Sequence, residues 1–215
     1  MLRVMDEQVD VLLPPDFMPS GVVKSRAQAL SDGDWIGTFN LWIVSRKPVP
    51  SIVYQLRSPD VTWAPNKLDV SAGGHYQAGE KLADGLREVD EELGRHYLPG
   101  GITYLGRKIY VGRDTAGRTK NNVIELYMIE DDAPLADYKL DKEEVYGIVT
   151  CPVDELIRAH QDGGYSFNAV GYKYDGSELR QTVTRDSFPQ NWDNYHFKVA
   201  LLVERYFKGE KNLLY

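Results

Sequence analysis

Arg87-Glu88-Val89-Asp90-Glu91-Glu92-Leu93-Gly94 is the stretch on which the reading of this chain turns. Glu88, Glu91 and Glu92 stand three and four positions apart, so on a helix their carboxylates share one face. Leu82, Leu86, Val89 and Leu93 recur at spacings of four, three and four, which predicts one continuous helix with an apolar stripe opposite the acids, stopped by Gly94. Like charges at these spacings cost a bare helix ~0.2–0.5 kcal/mol per pair, and no lysine is interposed. A divalent cation removes that cost, because Mg²⁺ and Mn²⁺ take oxygen ligands and bridge carboxylates to phosphates. A solvated acidic face is the competing reading.

The residues just upstream favour the cation. Gly73-Gly74-His75-Tyr76-Gln77-Ala78-Gly79-Glu80 predicts a glycine-rich loop, in which backbone can come close to phosphates and turn a carbonyl toward a metal. Loop and helix together resemble the Nudix box, G-x5-E-x7-R-E-U-x-E-E-x-G-U with U aliphatic. Gly74 through Glu80 matches the first part and Arg87 through Gly94 the second. Two departures stand out: six residues, Lys81 to Leu86, separate Glu80 from Arg87 where the pattern has seven, and Arg95 replaces the last aliphatic. The expectation is that the loop absorbs the missing residue, since a shift of one residue within a helix turns a side chain by about 100°.

The resemblance implies an α/β fold, a Nudix-type α/β/α sandwich with a mixed sheet, and metal-dependent hydrolysis of a pyrophosphate bond in a nucleoside-diphosphate-X type substrate. It implies Mg²⁺ or Mn²⁺ held by Glu88, Glu91, Glu92 and the Gly73 carbonyl, with Glu80 pairing with Arg87 to brace the loop. It also implies a further carboxylate from a distant loop or strand, Glu144 first and Glu125 second, and the base that activates water is Glu88 or Glu144. A non-catalytic nucleotide or metabolite sensor on the same fold is the alternative from a different class. Gly73-Gly74-His75, Val123-Ile124-Glu125-Leu126 and Asp141-Lys142-Glu143-Glu144-Val145 also resemble the isopentenyl-diphosphate isomerase branch of the superfamily. There the loop carries a cysteine and several histidines hold the metal; here Gly73 takes the cysteine's place and no histidine lies around Trp35 to Trp42.

Substrate contacts are expected from His75 beside the phosphates, from Arg26 and Arg57, and from Arg113, Arg118 and Lys120 on a polar hairpin tip, where guanidinium groups suit phosphate oxygens. Trp35, Trp42 and Trp63 are stacking candidates, although core or edge packing is the plainer role for any one of them. The lone Cys151 reads as a buried inert thiol.

Around this centre, aromatic and β-branched runs predict strands at 35–44, 51–56, 68–72, 102–111, 123–129 and 145–150. Helices are expected from Pro152 and from about Trp192 to Phe207. The prolines between 14 and 19 argue against a long helix at the start. The 215 residues favour one domain, with Nudix residues 35–165 between extensions 1–34 and 166–215. A net charge of −7 argues against a nucleic-acid polymer as partner but suits a small polyanion bridged through metal. No stretch is apolar enough for a membrane span, so no membrane association and a cytoplasmic location are expected. The C-terminal helix leaves room for a homodimer.

Overall fold

Trp35–Ser45 is apolar on both faces because it lies inside a sheet covered on both sides, the situation in which a strand loses its polar alternation. The computed structural model describes residues 7–113, 117–189 and 193–215. In chain order they form strands β1 (Gln8–Leu13) and β2 (Met18–Ser25), helix α1 (Arg26–Asp32), and strands β3 (Trp35–Ser45), β4 (Ser51–Arg57), β5 (Leu68–Asp69) and β6 (Ala72–His75). Helices α2 (Leu82–Gly85) and α3 (Arg87–Leu93), strands β7 (Thr103–Arg113), β8 (Thr119–Glu130) and β9 (Val145–Pro152), and helix α4 (Val153–Gln161) follow. Strands β10 (Phe167–Lys173) and β11 (Glu178–Val183) and helix α5 (Tyr195–Phe207) complete the chain.

The strands join in one mixed sheet, with the path β11-β10-β9-β4-β3-β1-β2 and with β5, β6, β7 and β8 attached beside it. The β3–β8 pair is parallel, from Trp35 opposite Asn121 to Val44 opposite Glu130. Successive side chains point to opposite faces. Phe39, Leu41, Ile43, Val53 and Ile148 therefore pack with Leu86, Val89 and Leu93 of the acidic-helix region. Trp42, Val44, Ile52, Tyr54, Val149 and Cys151 pack on the other face with Leu156 of α4 and Val199 and Val203 of α5. This is an α/β/α sandwich, and both expected extensions pair into its sheet: β1 meets β3 at Leu12 opposite Trp35, and β10 lies along β9.

Three expectations are corrected. The box helix is not continuous but breaks at Leu86, where ψ is −13° and the Val89 N–H reaches back only three residues to the Leu86 carbonyl at 3.1 Å. The break lies inside the expected helix, so the loop alone does not take up the short spacing. Gly73-Gly74-His75 is not loop but strand β6, paired with Asn40, Phe39 and Thr38. Helix α5 begins at Tyr195 rather than Trp192, which lies outside the described residues. Cys151 is buried, and burial raises its thiol pKa.

His196, at the start of α5, is buried against Phe188 and Tyr54 at centroid distances of 4.9 and 5.8 Å, and neither ring nitrogen has a hydrogen-bond partner. Burial pushes its pKa down to about 4, only partly offset by Asp69 at 4.0 Å. The unfolded chain therefore takes up the proton first. Stability is full above ~6.5 and is lost as pH falls through about 4, by about 3 kcal/mol once both states are protonated. Thermal unfolding between pH 7.5 and 4 should show this loss in the parent and less of it in His196→Leu; parallel curves would contradict the assignment.

Candidate active site

Helix α3 lies directly on β6, and Gly74 allows it, while Gly73 lets β6 close on its neighbour β3. A Cβ on Gly74 would stand 2.6 Å from Glu88 Cγ, and one on Gly73 would stand 2.7 Å from the Phe39 carbonyl oxygen. Neither glycine has positive φ, so their role is to leave room, whereas Gly79, at φ 81°, supplies the turn. Gly85, at the end of α2, closes onto the stacked Phe39 and Tyr76 rings. The Tyr76 N–H bonds to the Gly37 carbonyl, and an antiparallel ladder alternates between bonded and non-bonded pairs. Gly73 thus belongs to a non-bonded pair, and its carbonyl turns away from β3 on a strand that pairs with no second strand among the described residues.

The turn before the helix is tied at several points. Glu80 accepts from the Gln77 N–H at 2.8 Å and meets Arg87 Nε at 3.1 Å and Nη2 at 3.5 Å. Asp10 and the Gln8 carbonyl of β1 accept from the Gly79 and Ala78 N–H groups, at 2.7 and 2.8 Å. Glu80 and Arg87 thus pair across the short spacing. Arg95, in the aliphatic position, bonds Asp131 at 2.6 Å, as does the Tyr97 hydroxyl. The departure exchanges an apolar contact for a charged one that ties the helix exit to the end of β8.

At the far end of α3 the carbonyls of Glu92 and Leu93, which lack partners within the helix, accept from the Asp141 and Lys139 N–H groups at 3.0 and 2.9 Å. That strap carries Glu144 to the site, and the Glu144 carbonyl accepts from the Ser58 N–H at 3.0 Å, next to Arg57. Arg26 arrives from α1, its Nη1 3.4 Å from Glu7, with the charges of Glu88 and Glu144 bearing on it.

Glu92 stands at the centre of this arrangement. Its Oε2 is shut off from solvent and has no hydrogen-bond partner. Burial raises its pKa well above the usual carboxylate range, Glu88, Glu144 and Asp141 add to the shift, and Arg57 offsets part of it. Glu88 is bonded to Arg87, and burial raises its pKa against the pull of that guanidinium. Glu91 keeps 61% of its side chain exposed, 3.9 Å from Arg87. Among the described residues no three His, Cys, Asp or Glu side chains are gathered in a ready-made metal cluster.

The remaining candidates divide. His75 is held neutral, first by burial and then by the charges of Arg26 and Lys120, and its Nε2 has no partner. Arg57 donates to the Trp63 carbonyl at 2.9 Å, and Lys120 turns inward over Trp63. Arg113 and Arg118 stay at the hairpin tip, beside residues 114–116 that lie outside the description. Glu125 bonds the hydroxyls of Tyr76 and Tyr127 at 3.1 and 2.7 Å and pairs with Arg107. Trp42 is core and Trp35 packs on Phe17. Glu7 and Asp141 went unread: a lone acid before the first strand and one of several in an acidic loop carry no local signal.

No family profile matches the chain. Over 195 residues it is 30% identical to an uncharacterized Nudix hydrolase of Clostridium acetobutylicum, covering 85% of this chain and 91% of the relative. The chain belongs to the Nudix hydrolase family. As a Nudix hydrolase it is a pyrophosphohydrolase by class. It is also 32% identical over 154 residues to Nudix hydrolase 3 of Arabidopsis thaliana, covering 70% of this chain while spanning 20% of that longer protein. The solved structure of DR0079 from Deinococcus radiodurans matches 72% of this chain and 89% of that one with a TM-score of 0.52 at 20% identity, a likeness of fold. No helix among the described residues is long and apolar enough to cross a membrane.

The Glu92 environment has a measurable consequence. Its folded pKa lies above the unfolded one, so its contribution to stability is present in acid and lost as pH rises through the folded value. With divalent metal chelated, Glu92→Gln should unfold at a higher temperature than the parent at pH 8, and the gap should shrink at pH 5. A variant less stable at both pH values would show that the carboxylate is not under this strain.

Proposed function

We propose that this Nudix hydrolase cuts the pyrophosphate linkage of a nucleoside-diphosphate-X type substrate, with Mg²⁺ or Mn²⁺ held by Glu88, Glu91, Glu92 and the Gly73 carbonyl. The observations that support it are the Glu92 oxygen, shut off from water and unpartnered, and, on the strand against which the acidic helix packs, a Gly73 carbonyl that the ladder leaves unused. Leaving such an oxygen unpaired costs free energy, and an oxygen-ligated cation removes the cost. Glu91, on the solvent side of the same helix face, completes a set of hard oxygen donors suited to such a metal.

A bound divalent ion polarises phosphoryl oxygens and makes water acidic enough to deprotonate near neutral pH. This chain's residues do the rest. Arg26 and Arg57 flank the carboxylates and supply positive charge for phosphate oxygens, including the charge that develops on the leaving phosphate. Glu88 is already engaged by Arg87, whereas the Glu144 carboxylate has no ion-pair partner among the described residues. That contrast favours Glu144 as the base that takes the proton from the attacking water. Glu80 and Arg87 brace the turn, and His75 faces the substrate as a neutral donor or acceptor.

The test is turnover of a panel of nucleoside diphosphate derivatives with Mg²⁺ and Mn²⁺. Glu91→Gln and Glu92→Gln should each lower kcat by about 100-fold or more at saturating metal without loss of fold. Glu144→Gln should lower it by about 10²–10⁴-fold. Isopentenyl diphosphate should not be isomerised. Near-normal turnover in both box variants would move the site elsewhere, and metal binding without any turnover would make the protein a sensor.

A further inference from the structure

On the sheet face opposite α3, side chains from three segments meet that the hydrolytic chemistry does not use. Tyr110 of β7 and Asn122 of β8 are directly opposite each other, and Lys120, two residues along, shares their face. Trp63, from the β4–β5 connection, packs beside them: its ring meets Tyr110 edge-on at 5.9 Å and 77°. The Lys120 ammonium lies 5.1 Å from the Trp63 centroid and 5.8 Å from that of Tyr110.

Two observations point to a ligand. Asn122 is 3% exposed, and its side-chain carbonyl oxygen has no hydrogen-bond donor. A group that presents N–H would satisfy it. His75 Nε2, which feels the charge of Lys120, is also shut off from solvent without a partner. The patch is tied to the acidic site through Arg57, which donates to the Trp63 carbonyl at 2.9 Å while its charge bears on Glu92. An aromatic face, a cation at its edge and a buried acceptor match a planar heterocycle with N–H donors, joined to phosphate.

We propose that Trp63 and Tyr110, with Lys120 and Asn122, form the specificity subsite for the nucleobase of the substrate. The base stacks on Trp63 against the edge of Tyr110, Asn122 accepts from its N–H edge, and Lys120 meets the adjoining phosphate. The inference rests on the hydrolase reading, and it makes the substrate a nucleotide rather than an inorganic or aliphatic polyphosphate.

The experiment compares the full chain with Trp63→Ala, Trp63→Phe and Asn122→Leu, using an ADP-linked sugar and inorganic tripolyphosphate as substrates. Intrinsic tryptophan fluorescence with ADP in the presence of chelator gives a readout independent of turnover. Trp63→Ala should raise KM for the ADP-linked substrate about tenfold or more, with a smaller change in kcat. Trp63→Phe should keep most of the affinity but lose the ADP-induced quenching. Asn122→Leu should raise KM for the nucleotide but not for tripolyphosphate. Turnover with unchanged KM in Trp63→Ala, or an equal rise for both substrates, overturns the subsite while leaving the hydrolase reading intact. Quenching by ADP through Trp63 without turnover of any substrate does the reverse.

Discussion

Helix α3 rests on strand β6 at a separation that only hydrogen in place of a side chain allows, and the rest of the site follows from that contact. With Gly74 beneath Glu88, helix and strand meet with no side chain between them, and Gly73 lets the same strand close on the Phe39 carbonyl of β3. On the same helix one Glu92 oxygen is closed off from water, and on the strand the Gly73 carbonyl is left over from the ladder. The fold keeps this strained arrangement by holding both ends of the helix. Glu80 and Arg87 fasten its entry, and the 139–145 strap and the Arg95–Asp131 pair fasten its exit. A buried polar group without a partner is costly, and a carboxylate oxygen held so among other acids suits a place that receives a cation.

The acidic helix was legible because its signal is local. Three glutamates at helical spacing, an apolar stripe opposite them and a glycine stop are properties of a dozen residues, and the structure assembles them as a unit. What lay outside that window was read less well. Gly73 and Gly74 read as loop because glycine in sequence signals conformational freedom; here they serve close approach inside a strand, Gly73 to β3 and Gly74 to α3, and neither approach is a local property of the sequence. The break at Leu86 was unread because Leu82, Leu86, Val89 and Leu93 keep a helical rhythm across it. Gly85 against the Phe39 and Tyr76 rings gives a tertiary reason for the helix to pinch there.

The termini show the same limit. Val9 and Val11 alternate inward in β1, and Phe167 and Ala169 do so in β10, yet each run is short and mixed with small or polar residues. Pairing stabilises them, β1 with β2 and β3 and β10 with β11 and β9, and the pairings with β3 and β9 are non-local. As a result the first residues, passed over as a proline-broken lead-in, supply Asp10 to the loop and Glu7 to Arg26, while Arg26 itself opens α1. Among the arginines and lysine proposed for substrate, chemistry alone could not separate Lys120, which turns inward, from Arg113 and Arg118, which stay at the tip. Their order along the hairpin relative to the pleat decides it.

The central claim is that the unpartnered Glu92 oxygen and the Gly73 carbonyl are two ligands of one divalent ion. Crystals grown with Mn²⁺ and measured for its anomalous scattering test it most directly. The account predicts a peak bonded to both Glu92 Oε2 and the Gly73 carbonyl oxygen, at about 2.1–2.2 Å, which is absent in crystals of Glu92→Gln. A peak that ignores Glu92, or survives its substitution in place, would contradict it.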